Sequence, residues 1–229
     1  MITSNSAGKE RLGKTSRASS APDKKAEKRE IAKAKILNAT LDIIACEGLA
    51  ALSHRSIASE AGVQLAMTTY YFGTIDNILV AAFRQFRAQM VPLITGLAHQ
   101  LEELLASSAV ADGSLASRQS YAEAFASELE QYIDTHSSER VKLLRIECQY
   151  LFEQHPSQAL TEEIQEYTDW ITSLALRFVS PLGGHNPRMD AHMLLWTVQY
   201  LEFSTVTSVT IKGASNGDVL RRLLRGFCV

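Results

Sequence analysis

From about residue 28 to the C-terminal end, apolar residues recur at spacings of three and four, and no stretch sustains an alternation with a period of two. That spacing lines one stripe of an α-helix and cannot line one face of a strand, so an all-α fold is expected. Glycine, proline and capping residues punctuate the pattern. The first helix is predicted over 28–47, with Ile36, Leu37, Leu41, Ile43 and Ile44 on its apolar face and Gly48 at its end. A second follows Ser53, a suitable N-cap, and runs to Ala61, where Gly62 breaks it. A third covers 64–71. Thr74 caps a fourth that reaches about residue 106, with a kink or break expected at Pro92, which cannot donate a backbone hydrogen bond. Further helices are predicted over 115–135, 138–154, 157–180, 187–211 and 216–227. The clearest boundary is "PLGGHNPR", where Gly183 and Gly184 end one helix and Asn186 with Pro187 start the next.

The 229 residues are 46% apolar and 21% charged, enough for one sizeable core or two small ones. No apolar run approaches the roughly 20 residues needed to cross a bilayer. The N-terminal "MITSNSAGKERLGKTSR" has no apolar segment behind its charges, so secretion is not expected. Cys46, Cys148 and Cys228 are odd in number and widely spaced, matching neither a disulfide framework nor a zinc-ligand pattern, and suit a reducing, cytoplasmic setting. The net charge of −2 conceals an asymmetry: residues 1–37 hold ten Lys/Arg against four acids, leaving −8 on the rest. A basic end on an acidic body suits contact with a polyanion at one end, and equally a solvated tail. Residues 1–27 lack large apolar groups and are expected to form a disordered basic arm.

Within "RSIASEAGVQLAMTTYYF", Arg55–Phe72, two short helical patterns flank a glycine turn, the layout of a helix-turn-helix. Ala58 is small where the helices must approach, Gly62 accepts the turn conformation, and Ile57 and Val63 supply buried contacts. In such a motif the second helix enters the major groove of DNA. It would present Gln64, Leu65, Met67, Thr68, Thr69, Tyr70 and Tyr71, with hydroxyls for phosphate and apolar groups for thymine methyls. Phe72 is expected to anchor it to the bundle.

The run "ILNATLDIIACEGLAALSHRSIASEAGVQLAMTTYYFGTIDNIL" resembles the DNA-binding domain of the TetR family of bacterial transcriptional regulators. It carries that family's first helix with a terminal Glu-Gly, the "IA..AGV" turn, and "YYF" leading into a capped helix. Over about 50 residues several motifs stand at the family's separations. The chain departs from the pattern at Gln64, Ala66 and Thr69, and at Ile75, where the family usually has a lysine that contacts phosphate. The resemblance implies an N-terminal three-helix DNA-binding domain (28–74) and a larger helical ligand-binding and dimerisation domain (75–229), joined through the fourth helix. It also implies a cytoplasmic homodimer that binds a pseudo-palindromic duplex operator, as a repressor relieved by a small-molecule effector. By position, Arg55, Gln64, Leu65, Met67, Thr68, Thr69, Tyr70 and Tyr71 are its DNA-contact candidates. With the lysine absent, the basic arm would assist.

In the acidic remainder an apolar pocket with a few placed polar groups is expected among the aromatics. Glu147 interrupts an apolar pattern in "SERVKLLRIECQYLFEQH", and Tyr121, Tyr150, Trp170 and Trp196 are further candidates for a ligand. Helices 157–180 and 187–211 are long, and small Ser/Thr residues among Leu, Val and Phe in "LLWTVQYLEFSTVTSVT" suit packing of two copies as a four-helix bundle. The six histidines form no metal-binding spacing, and no phosphate loop, nucleophile elbow or carboxylate pair suggests catalysis, so no metal, cofactor or enzymatic activity is expected. The competing reading is a helical small-molecule-binding protein or enzyme without sequence-specific DNA binding.

Overall fold

Most helices in this chain start at hydroxyl or amide side chains that satisfy otherwise unbonded N–H groups. The computed structural model describes residues 24–135, 138–207 and 212–229, and these form α-helices and short 3-10 turns without a strand. The helices are α1 (Lys24–Glu47), α2 (His54–Ala61), α3 (Leu65–Phe72), α4 (Ile75–Ser107), α5 (Leu115–Asp134), α6 (Ser138–Leu151), α7 (Gln158–Val179), α8 (Pro187–Thr207) and α9 (Asn216–Gly226). Ser53 and Ser56 cap α2 reciprocally, each side chain accepting the other's backbone N–H at 2.9–3.0 Å. Thr74, Ser114, Ser157 and Ser215 cap α4, α5, α7 and α9. Asn186 Oδ1 accepts the Met189 N–H at 3.1 Å, with Pro187 opening α8 as its missing donor permits. Each such cap contributes about 1 kcal/mol.

The departures from the expected boundaries have local causes. Helix α1 already includes Lys24–Glu27, the last four residues of the expected arm; residues 1–23 lie outside the described residues. Helix α4 is not broken at Pro92, which is exposed, so that the bond it cannot make is missing from the side facing solvent. Helix α6 ends at Leu151, three residues early, ahead of Pro156 in "FEQHPS". The end of the 187–211 helix, beyond Thr207, lies outside the described residues.

Three apolar clusters hold these helices. Ile36 and Ile43 of α1, Ile57 of α2 and Ile78 of α4 form the smallest, beneath α3. Leu41 and Ile44 of α1 join Phe83, Phe86 and Met90 of α4, Leu143, Ile146 and Tyr150 of α6, and Leu160 and Tyr167 of α7 in the second. The third gathers the end of α4 with α5, α7, α8 and α9 around Tyr121, Phe125, Phe178 and Leu194. Helix α4 contributes to all three, so packing continues without a gap across residue 75. At 33 residues it runs about 50 Å. The fully buried Phe83 ring stands edge-on to Tyr150 and Tyr167, with centroids 4.9 and 5.9 Å away. Phe83→Ala should therefore destabilise the protein by about 3–5 kcal/mol, measured by urea denaturation at fixed protein concentration.

Candidate nucleic-acid interface and ligand cavity

Gly62 aims α3. It ends α2 in the left-handed conformation (φ 61°, ψ 38°), and the following Val63 N–H bonds Ala58 O at 3.0 Å. This turn lays one side of α3 on the bundle: Met67, Tyr71 and Phe72 pack against the isoleucine cluster, so Phe72 is the anchor its position suggested. The far end is closed by Asn77, whose Nδ2 donates to Phe72 O at 2.8 Å.

The opposite side of α3 faces out. Gln64, Leu65, Ala66, Thr69 and Tyr70 are exposed, Tyr70 by 81% and Leu65 by 48%, and Arg55 is exposed on α2. The sequence candidates thus divide. Thr68 is fully enclosed: its hydroxyl donates to Leu65 O at 2.8 Å and lies 2.9 Å from His54 Nδ1, binding α3 to α2. It cannot present its hydroxyl to DNA. Met67 and Tyr71 are half-buried and serve the bundle with much of their surface, while Tyr71 also meets the exposed Tyr70 ring edge-on at 5.0 Å.

A second feature lies among α4, α5, α6, α7 and α8: a cavity of about 330 Å³. Its walls are mostly apolar, with Leu97 and Leu101 of α4, Phe125 of α5, Ile171 and Phe178 of α7 and Leu194 of α8 among them. Two buried carboxylates reach it. Glu147 of α6, 7% exposed, accepts the Tyr167 hydroxyl at 2.8 Å. Glu202 of α8 pairs with Arg140 of α6, whose guanidinium lies 3.7 Å from the centre of the Tyr132 ring. Burial pushes the Glu147 carboxyl up to about 7, the neighbouring Glu202 charge pushes the same way, and the Tyr167 hydroxyl and Arg140 offset part of the rise. Cys148 is pushed up to about 11 by burial and by both glutamates, which disfavours its reactive thiolate form.

Of the ligand candidates drawn from the sequence, Glu147 and Trp196 line this cavity. Tyr121 and Tyr150 do not: they are core residues whose hydroxyls donate to Phe178 O and Leu79 O, both at 3.1 Å. Trp170 packs on the second cluster beside Tyr167, also away from the cavity. Glu202, Arg140, Tyr132 and Tyr167 were missed. Glu202 had the same signal as Glu147, a lone charge in the apolar run "WTVQYLEFSTV". Among the described residues, no group of three or more His, Cys, Asp or Glu is placed to hold a metal ion, and no helix is long and apolar enough to cross a membrane.

The raised Glu147 value has a consequence for stability. Between its ordinary 4.5 and about 7 the folded protein holds a proton there that the unfolded chain releases. Stability therefore falls as pH rises through that window and is constant above it, a loss on the order of 3 kcal/mol. Glu147→Gln keeps an acceptor for Tyr167 and should lack this decline. Denaturation midpoints measured from pH 4.5 to 8 should give variant and parent equal stability at the acid end and a more stable variant at the alkaline end.

No protein-family model matches the sequence, and no curated protein matches it. Solved structures do match it in fold. A transcriptional regulator from Rhodococcus sp. Rha1 superposes with a TM-score of 0.59 at 19% identity, over 86% of this chain and 95% of that one. The multidrug binding protein EbrR, complexed with imidazole, gives 0.59 at 21% identity, over 86% and 94%. A TetR-like transcriptional regulator from Rhodococcus sp. RHA1 gives 0.54 at 17% identity, over 85% and 94%. With its short α2–α3 pair in front of a larger helical body, the chain has the fold of the TetR-type transcriptional regulators.

Proposed function

We propose that the protein is a homodimeric transcriptional repressor of the TetR type, which binds a pseudo-palindromic operator through α3 and releases it when a small molecule fills the cavity. The observation that carries this reading is the division of α3, whose inner side is fixed by Thr68, Met67, Tyr71 and Phe72 while Gln64, Leu65, Ala66, Thr69 and Tyr70 stand clear of the protein. A helix held in this way can seat in a major groove without rearranging. Thr69 and Tyr70 supply hydroxyls for phosphate, Leu65 and Ala66 apolar contact for thymine methyls, and Gln64 an amide for a base edge. The Gln64 side chain makes no cap to α3, which leaves the Leu65 and Ala66 N–H groups to a phosphate, while the Met67 N–H bonds Gln64 O at 2.9 Å. Arg55 and the ten Lys/Arg of residues 1–37 add attraction that depends little on sequence. The site of action is the cytoplasm, where the operator is.

Dimerisation is supported by α8. Met189, Met193, Trp196, Tyr200 and Phe203 follow one another at spacings of four and three, and each is at least 44% exposed. Such a stripe suits a second helix packed alongside, and with α7 it would form a four-helix interface between copies. Two heads one helical turn apart on DNA then follow from the two-fold symmetry. The effector acts by favouring a dimer with a different head separation, and a coupling of about 1–3 kcal/mol changes operator affinity roughly 5- to 150-fold.

Selecting bound duplexes from fragmented genomic DNA, then titrating one against a scrambled competitor across salt concentrations, tests the reading. Specific binding that weakens steeply with salt is expected, whereas a ligand carrier or enzyme would show no specific duplex. The double variant Thr69→Ala, Tyr70→Ala should lose at least tenfold in operator affinity with an unchanged denaturation midpoint; unchanged affinity would overturn the assignment of α3. Trp196→Asp combined with Tyr200→Asp should sediment as a folded monomer and bind the operator weakly.

A further inference from the structure

The cavity walls carry charge of one sign. Three carboxylates line it, Glu147 and Glu202 buried and Asp169 exposed at the rim, and none of its lining residues is Lys or Arg. Arg140 is committed to Glu202 and the face of Tyr132. Glu147 has a different partner: its hydrogen bond comes from the neutral Tyr167 hydroxyl, and it makes no ion pair among the described residues. A buried carboxylate held only by a neutral donor is left with a desolvation penalty that a nearby cation offsets. An anionic ligand would meet Asp169 and, once ionised, Glu147 with no lining Lys or Arg to offset them, and a neutral one would leave Glu147 as it is.

The groups that face Glu147 fit one class of guest. Tyr167 of α7 donates to it, Glu202 of α8 adds negative charge, Arg140 of α6 offsets part of that charge, and Tyr132 of α5, under the Arg140 guanidinium, lines the same cavity. The remaining surface, from Leu101, Phe125, Ile171 and Phe178, is apolar and partly aromatic. At about 330 Å³ the space lies at the small end of the ~300–1,000 Å³ usual for organic ligands. We propose that the cavity selects an organic monocation with an aromatic or alkyl body, its charged nitrogen beside the Glu147 and Glu202 carboxylates and its body among these apolar side chains. This rests on the reading of the cavity as the effector site and specifies what the effector must be.

Three probes matched in shape and differing in charge test it: 4-phenylbutylamine, 4-phenylbutan-1-ol and 4-phenylbutanoate, titrated calorimetrically into the full-length protein at pH 8 without DNA. The amine should bind at least tenfold more tightly than the alcohol, and the carboxylate more weakly than either. In Glu147→Gln the amine should fall to the level of the alcohol. Unchanged alcohol binding in that variant shows that the cavity has kept its shape. Equal binding of all three, preference for the carboxylate, or an amine preference that survives Glu147→Gln overturns the charge selection. Failure of all three to bind overturns both the charge selection and the effector cavity. The same amine titrated into the operator complex separates the two ideas: a charge-selective amine that leaves operator affinity unchanged sustains the cation site and removes its role as effector.

Discussion

The structure depends on one block of four aromatic rings. Phe83 and Phe86 of α4 pack on each other, and both pack on Tyr150 of α6 and Tyr167 of α7, with centroids 4.9–6.2 Å apart in tilted and edge-on contacts. Rings of this kind bury about 150–250 Å² each, and their mutual geometry adds to the burial. Both phenols must also find partners in the dry interior, and they find them in opposite directions. Tyr150 donates to the backbone of α4 at Leu79, next to the cluster under α3, and Tyr167 donates to Glu147 at the cavity. The block is therefore packed as a core and hydrogen-bonded at both ends. The region bearing α3 and the region bearing the cavity are joined through this block by one continuous helix, α4.

Helix α6 makes the same connection over a shorter path. Leu143, Ile146 and Tyr150 face α1 and α4, while Glu147 and Leu151, on another side, face the cavity. Lys142 pairs with Asp42 of α1, and the Gln149 side chain lies so close to Gly48 that a Cβ there would come within 3.1 Å of its Oε1. Gly48, at φ 86°, suits this approach on two counts, its backbone conformation and its lack of a side chain. A change of charge or contact at Glu147 thus acts on the same rigid helix that holds α1 in place. Helix α4 is the longer second route, reaching from Ile78 beneath α3 to Leu101 at the cavity.

The fold was largely legible in the sequence because the physics that sets it is local. A 3.6-residue apolar period, a glycine after a helix, and Ser, Thr or Asn before one each act within a few residues, and Ser53, Gly62, Thr74 and Asn186–Pro187 sit where those rules put them. The site was less legible because its side chains are sorted by distant neighbours. In "LAMTTYYF" hydroxyl and apolar residues lie on every side, so periodicity cannot divide the helix; Thr68 is buried against His54, 14 residues away, while Thr69 is exposed. The aromatics present the same difficulty. Tyr121 and Tyr150 differ from a cavity residue only in having a carbonyl within reach, supplied by Phe178 and Leu79, 57 and 71 residues away. Glu147 could be found because a charge in an apolar stripe needs a reason to be there.

Glu202 carried the same signal, and what hid it is informative. Helix α8 is apolar on two sides, since Leu194, Leu195 and Val198 line the cavity beside Glu202 while Met189, Met193, Tyr200 and Phe203 face outward. A helix with apolar residues on two sides shows no single amphipathic stripe against which one acid stands out, and both sides call for cover. The protein's own core covers one. With a second copy over the other, α8 becomes a wall one helix thick between the cavity and the partner, and Trp196, which lines the cavity and stands 72% exposed, belongs to both faces. Under the proposed reading a guest and a second copy would press on opposite sides of the same helix, and occupancy of the cavity would reach the spacing of the two α3 helices through α8 and the helices it packs on, α6 and α7 among them.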